Sequence, residues 1–499
     1  AEDDAEEDAE DDAEDDAEDD AEDDAEDDAE DDLDEDAEED EFDEEEEDEL
    51  EEELEEEEAE LEDEEELEEE DTLEEDEELE EDEEFEEEEE EEFFEPAFDA
   101  EEAAEERARE AAADRALAQR KLDLEMVAER DFEEMIDIEG DLIVADELLM
   151  LADTEEEIEL DVEEYLEREV IRLEGLDMVM VRAKVRRGKN LDAALMAAAG
   201  RLENGYADAN HLYAPDETDA TAEAADQPYL LAASLGINAQ SDTAQSQQPV
   251  RIGLIDTAID RKHPALHKAA ITPKDFVSYG DKRPNDHGTA VAAILVGSDA
   301  GTFKGALLGA ELLAAGVFGE NGSGDPVATA ESLVRALDWL VKEKIQVVNM
   351  SLSGPANELL AVASKRATEK GTIIVAAVGN AGPNAKPLYP AAYSHVIAVT
   401  AVDLNNRVFL RANRGKHVDF AAPGVSVFSA KSGGGYQRKS GTSIAAPFVS
   451  AALAERLARA EHLGTEQILK ALEEKATDLG EPGHDPIYGH GLINLGTEE

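Results

Sequence analysis

Residues 440–454 read SGTSIAAPFVSAALA. A small polar run breaks directly into an alanine-rich apolar stretch, the pattern of a buried helix beginning at its polar end. A helix cap needs one side-chain oxygen. Here Ser440, Thr442 and Ser443 crowd together, with Pro447 just inside the apolar run. Either the helix start is over-decorated or one of these serines does chemistry. Gly-Thr-Ser-x-Ala-x-Pro sets five residue types, so a chance match in a given window is roughly one in three million.

Three further stretches stand at the edges of apolar runs. In GLIDTAID (253–260) an apolar strand runs into Asp256. A carboxylate at the end of a buried strand is costly unless something pairs with it, although a turn aspartate would also fit. In NDHGTAVAAIL (285–295) His287 stands at the mouth of a small-residue helix. The glycine after it lets the backbone approach something closely; alone, such a histidine is more often structural. In IIVAAVGNAGP (373–383) a strand ends on Gly379 and Asn380. Asparagine there usually makes a turn, but it can also aim its amide into a cleft.

From residue 250 onward, short β-branched runs (VRIGLID, IQVVNMSLS, GTIIVAAVGN, HVIAVTAVD) alternate with helical patterns (HGTAVAAILVG, PVATAESLVRALDWLVKE, LLAVASKRATEK). That alternation predicts an α/β domain over 250–499, a mostly parallel sheet with helices on both faces.

The 499 residues carry 138 Asp and Glu against 40 Lys and Arg, but unevenly. Residues 1–100 hold 74 acids and no base, while residues 250–499 hold 26 of each. The acidity therefore says nothing about the C-terminal half. Residues 1–99 open with eight AEDD-type tetrads and continue as glutamate runs. They cannot bury enough apolar surface to offset their ordering entropy and are expected to be disordered. Residues 100–131, rich in Ala and mixed charge, predict an exposed helix. Residues 132–215 predict a small α+β domain of βαββαβ order. Its parts are a strand in DLIVADELLMLA, a helix in TEEEIELDVEEYL, a hairpin about Gly175-Leu176, a helix capped by Asn190 and a closing strand YADANHLY. Residues 216–249 read as a linker and the start of a mature chain. There is no cysteine, which excludes disulfides, thiolate metal sites and a cysteine nucleophile. No apolar run is long enough to span a membrane.

Taken together, the four stretches resemble the subtilisin-like serine peptidases, or subtilases, over about 225–495. SLSGP (351–355), YPAAYSHVIAVTAVD (389–403) and YGHGLIN (488–494) extend the match. The chain order Asp, His, Ser is that of the family. The resemblance implies Ser443 as nucleophile, His287 as general base and acid, and Asp256 as the group that fixes the imidazole. Asn380 would donate to the oxyanion beside the backbone N–H of Ser443. It implies a polypeptide substrate lying between Gly322, Ser323, Gly324 and the Ser351, Leu352, Ser353, Gly354 segment, added as a strand. Ala258 stands where the family usually has glycine, Ile444 where methionine is commoner, and Ser353 where glycine is usual. No calcium loop matches clearly, and neither metal nor cofactor is expected.

The 132–215 region resembles, by order and position, the family's inhibitory propeptide. The expectation is then a zymogen. Asn210, His211, Leu212 and Tyr213 would lie in the groove, Tyr213 nearest Ser443 with its carbonyl facing Asn380. First cleavage would follow Tyr213 or fall shortly beyond. Secretion or a periplasmic place is implied, although no signal peptide is visible. Partners are polypeptide substrates and the chain's own propeptide-like domain, with no nucleic acid. Cations or basic proteins would be drawn to the acidic tail. The alternative is a catalytically silent scaffold that binds through a cation-binding acidic tail.

Overall fold

The computed structural model describes residues 134–219 and 250–494, apart from 138–139, 159–164, 187–188, 203, 217, 300–302 and 460–463. The expected acidic tail and the 100–131 helix lie outside the described residues, as does most of the 216–249 linker.

The N-terminal region carries β1 (Glu134–Ile136), β2 (Leu142–Ala152), β3 (Tyr165–Leu173), β4 (Met178–Val185), α1 (Leu191–Arg201) and β5 (Tyr206–Pro215). The sheet runs in the order β5-β2-β4-β3, all antiparallel, with β1 beside β2. Asn190 caps α1 through its side chain, accepting from Ala193 N at 2.9 Å. The helix expected over 154–166 differs in its described part. A 3₁₀ turn covers Glu155–Glu157, and Tyr165 and Leu166 already belong to β3. Eight cross-strand pairs with β4 outweigh local helix propensity there.

Then come β6 (Thr218–Asp219), β7 (Arg251–Asp256), β8 (Ala270–Asp275), α2 (Asp286–Val296), β9 (Glu311–Gly316), β10 (Phe318–Glu320) and β11 (Pro326–Thr329). They are followed by α3 (Ala330–Lys342), β12 (Val347–Met350), β13 (Leu352–Ser353), α4 (Glu358–Glu369), β14 (Ile373–Ala377) and β15 (Ile397–Val402). The chain closes with β16 (Val418–Pro423), β17 (Val427–Ala430), β18 (Tyr436–Ser440), α5 (Thr442–Arg459) and α6 (Thr465–Lys475). Seven of these strands form a wholly parallel sheet in the order β16-β15-β14-β12-β7-β9-β8.

The strand pleat divides the core. Ile373, Val375, Val399, Leu254 and Leu312 pack on one face with the residues of α2 and α5. Ile374, Ala376, Ala398, Ile255 and Leu313 pack on the other with α3 and α4. Alternate residues thus face opposite helical layers, so a strand apolar throughout is buried on both sides.

The two regions are joined by β5. It pairs with β2 in its own sheet, and then with β11 and β13 of the C-terminal region. The hairpin turn after β3 also docks on α3, where Asp338 Oδ1 accepts from Gly175 N at 2.7 Å and Leu176 N at 3.0 Å.

Candidate active site

Asp256 is the last residue of β7, and Asn380 follows β14 by three positions. Both stand at the carboxyl edge of the parallel sheet, where open α/β sheets place their clefts. Two helices aim their N-termini at this edge. His287 is the second residue of α2, and Ser443 the second of α5. The positive end of each helix favours developing negative charge nearby.

His287 Nδ1 lies 2.7 Å from Asp256 Oδ1, and its Nε2 lies 3.0 Å from Ser443 Oγ. Asp256 Oδ1 also accepts from Thr257 N at 2.6 Å. All three side chains are buried. Close packing behind them depends on Gly288. A Cβ there would sit 2.5 Å from the Thr257 carbonyl oxygen, and Gly288 N donates to Thr257 Oγ1 at 2.7 Å. The glycine that follows the histidine thereby brings α2 against the strand that carries Asp256.

Pro447 explains another contact. It lies inside α5, four residues after Ser443, and has no N–H to give the Ser443 carbonyl. Ser351 Oγ donates to that carbonyl instead, at 2.8 Å, and accepts from Asn349 Nδ2 at 2.8 Å. Asn349 Oδ1 in turn accepts from Ser450 Oγ at 2.9 Å. Ser351 is fully buried and supports Ser443 through its carbonyl.

Asn380 is oriented by Thr442. The Thr442 amide and hydroxyl each donate to Asn380 Oδ1 at 3.1 Å. Gly379 N donates to Thr442 Oγ1, also at 3.1 Å. This turns Asn380 Nδ2 the other way, where it is buried without a hydrogen-bond partner. An orphaned donor of that kind is the requirement for stabilising an oxyanion.

Part of the chain itself lies against Ser443. Tyr213 pairs with Ala328, Ala214 with Ser353, and Pro215 with Leu352. Beyond the undescribed residue 217, Thr218 pairs with Ser440 and Asp219 with Lys439. Between these flanks the Asp216 carbonyl oxygen lies against Ser443 Oγ. A Cβ on Gly441 would lie 2.5 Å from that same oxygen. The Asp216 carboxyl is buried; its Oδ1 accepts from Ser353 Oγ at 2.7 Å, and its Oδ2 has no partner. Burial pushes this carboxyl up to about 7, against the opposing effects of the Ser353 hydrogen bond and His287.

Two expectations differ from this placement. Tyr213 does not lie nearest Ser443; Asp216 does, three residues further on. The Tyr213 ring packs beside Gly354, whose Cβ would meet it at 2.4 Å, and its hydroxyl donates to the Pro355 carbonyl at 3.1 Å. The apolar tip seats upstream, and the extended chain carries the Asp216 carbonyl past it. Gly322, Ser323 and Gly324 form the exposed tip of the β10–β11 hairpin, and Pro326–Thr329 supplies the paired strand. The sequence PVAT reads as a helix start, because Thr329 does cap α3, accepting from Ser332 N at 3.1 Å. Its edge pairing has no local signal. Leu352 and Ser353 pair with Pro215 and Ala214, and Gly354 lies beside the Tyr213 ring.

Among the described residues no cluster of His, Cys, Asp or Glu could hold a metal ion, and no helix is long and apolar enough to cross a membrane.

The pattern of the Subtilase family matches residues 247–491. Subtilisin DY of Bacillus licheniformis is 35% identical over 254 residues, covering 49% of this chain and 89% of that protein. The minor extracellular protease Epr of Bacillus subtilis (strain 168) is 34% identical over 247 residues, covering 49% of this chain and 37% of that one. Among solved structures, fervidolysin from Fervidobacterium pennivorans, a keratinolytic enzyme related to subtilisin, superposes with a TM-score of 0.60 at 22% identity. The overlay covers 72% of this chain and 61% of that one, and shows the shared fold.

Proposed function

The chain belongs to the subtilase family and is a serine endopeptidase; we propose that it is made as a zymogen whose own N-terminal domain occupies the active site until it is cut. The observation that carries this reading is the placement of residues 213–216 and 218–219. They are paired with β11 and β13 on one side of Ser443 and with β18 on the other, as a substrate strand would be. The carbonyl offered to the nucleophile is that of Asp216, so the proposed cut follows Asp216.

In the reaction, His287 takes the Ser443 proton as Oγ attacks the Asp216 carbonyl carbon. Asp256 holds the Nδ1–H tautomer and stabilises the imidazolium. The oxyanion is met by Asn380 Nδ2 and the backbone N–H of Ser443. Collapse breaks the C–N bond, and the imidazolium gives its proton to the new amine of Glu217. Water, activated by the same imidazole, then releases the acyl group.

Inhibition after cleavage rests on the surface around β5. Asn357 Nδ2 donates to the Ala209 carbonyl at 3.0 Å, and Arg182 pairs at 2.9 Å with Glu331, which is fully buried. Asp208 Oδ2 accepts from Glu358 N at 2.8 Å at the start of α4. Export from the cell follows the pattern of the relative named as extracellular.

The test is to express wild type and Ser443→Ala side by side and read N-termini by mass spectrometry. Wild type should start at Glu217 or shortly after, with the alanine variant left uncut. Equal processing of both would refute self-cleavage. A wild type inert to a fluorophosphonate probe after removal of residues 1–216 would favour the silent scaffold.

A further inference from the structure

The pocket beside Ser443 is occupied by a carboxyl, which is an unusual group to bury. Ser353 and Asp216 are both almost fully enclosed. Ser353 is held in place by strand pairing, opposite Ala214 and next to Leu352, which faces Pro215. From there its hydroxyl reaches Asp216 Oδ1 at 2.7 Å. Nothing comparable meets Oδ2, which is buried with no partner.

From this arrangement we infer that Ser353 makes the enzyme select a short side chain bearing an oxygen acceptor, aspartic acid or asparagine, immediately before the cleaved bond. This rests on the reading that residues 213–216 lie as substrate does.

The pocket supplies one neutral donor to Asp216, and a lone hydroxyl does not offset the burial of a full negative charge. The aspartyl group is therefore accepted in its neutral form, in keeping with a carboxyl held protonated up to about 7 by burial. Asparagine presents the same carbonyl oxygen at the same distance from the backbone, without a charge to desolvate. Glutamate carries its carboxyl one methylene further on, past the hydroxyl. Leucine or phenylalanine leaves the Ser353 hydroxyl buried and unpaired, a penalty that discriminates by tenfold or more.

Ser353 touches the substrate side chain and no reacting atom, so its role is specificity. The partner contact three residues upstream is separate. The Tyr213 ring lies against Gly354, where a Cβ would meet it at 2.4 Å.

The test uses mature enzyme and peptides Tyr-Ala-Pro-X-Glu-Thr, with X as Asp, Asn, Glu, Leu or Phe, scored by kcat/KM at pH 6. Asn should exceed Leu and Phe by tenfold or more, and should exceed Asp by about a hundredfold, since a free aspartyl must take up a proton at pH 6, with Glu below Asp. In Ser353→Gly the ratio of Asn to Leu should fall at least tenfold. A preference for Leu or Phe, or an Asn-to-Leu ratio indifferent to Ser353→Gly, overturns the inference while leaving the endopeptidase reading intact. Failure to cleave any peptide overturns both. A second route leaves the catalytic half untouched: in the full chain, Asp216→Asn should process at least as fast as wild type at pH 8, and Asp216→Leu at least tenfold more slowly. Equal rates for Asn and Leu at 216 would again refute the selection.

Discussion

Gly175→Ala should release the N-terminal domain from the catalytic half without altering either fold. Gly175 sits in the β3–β4 turn, and its amide and that of Leu176 both donate to Asp338 Oδ1 on α3. A Cβ at 175 would lie 2.1 Å from the Asp338 carbonyl oxygen and 2.7 Å from Lys342 N, both backbone atoms of a buried helix. Neither can give way cheaply. The turn must instead withdraw by roughly 1 Å to reach ordinary contact, which takes both hydrogen bonds out of range. A hydrogen bond to a charged acceptor contributes about 1.5–3 kcal/mol. Asp338 is only partly enclosed, so the low end applies, and two bonds amount to about 3 kcal/mol, or roughly a hundredfold in affinity. The assay is inhibition of mature enzyme by an added 134–216 fragment, wild type against the variant, with circular dichroism of each fragment as the control. In the full chain, activity should appear sooner after processing. Asp338→Ala should weaken the wild-type fragment similarly, and the two changes together should cost less than their sum, because they remove the same contacts. An inhibition constant within threefold of wild type, for a variant of unchanged structure, would mean that this turn does not hold the domain in place.

Asn380→Ala removes the orphaned donor and should lower turnover by about 10²–10³, the scale measured for an oxyanion-hole asparagine in a subtilisin; an effect confined to KM would make it a binding residue instead. Inhibition by the 134–216 fragment should weaken as pH rises. Asp216 has a raised value of about 7 when docked and about 3.9 when free, so docking takes up a proton. Affinity is then full below the free value, falls about tenfold per unit up to pH 7, and levels off above it. Asp216→Asn should flatten that slope, and inhibition that strengthens with pH would contradict the burial of this carboxyl.

How far the site was legible depends on the reach of each residue. Asp256, His287, Asn380 and Ser443 are each marked by their immediate neighbours. Gly288 is there because α2 presses on Thr257, and Gly379 because the chain turns with φ +101 before Asn380. Pro447 is there because Ser351 takes the place of a helix amide. Such demands act within a few residues and leave a local trace. The pairing of β11 with β5 leaves none, since any extended segment offers the same backbone groups.

The sequence by itself therefore determined the parallel sheet, through largely apolar central strands such as β14 and β15, and the residues gathered at its carboxyl edge, through residue types set by steric need. Only the tertiary structure decided which carbonyl meets Ser443. A strand slides in steps of about 3.3 Å per residue, and its apolar tip, Tyr213, was the one local cue to its register. That ring is seated by Gly354 and Pro355, more than a hundred residues away. Their position fixes the chain three residues further along, with Asp216 at the nucleophile and Ser353 against its carboxyl. Register is a property of two surfaces brought together, and half of it is written in a distant part of the chain.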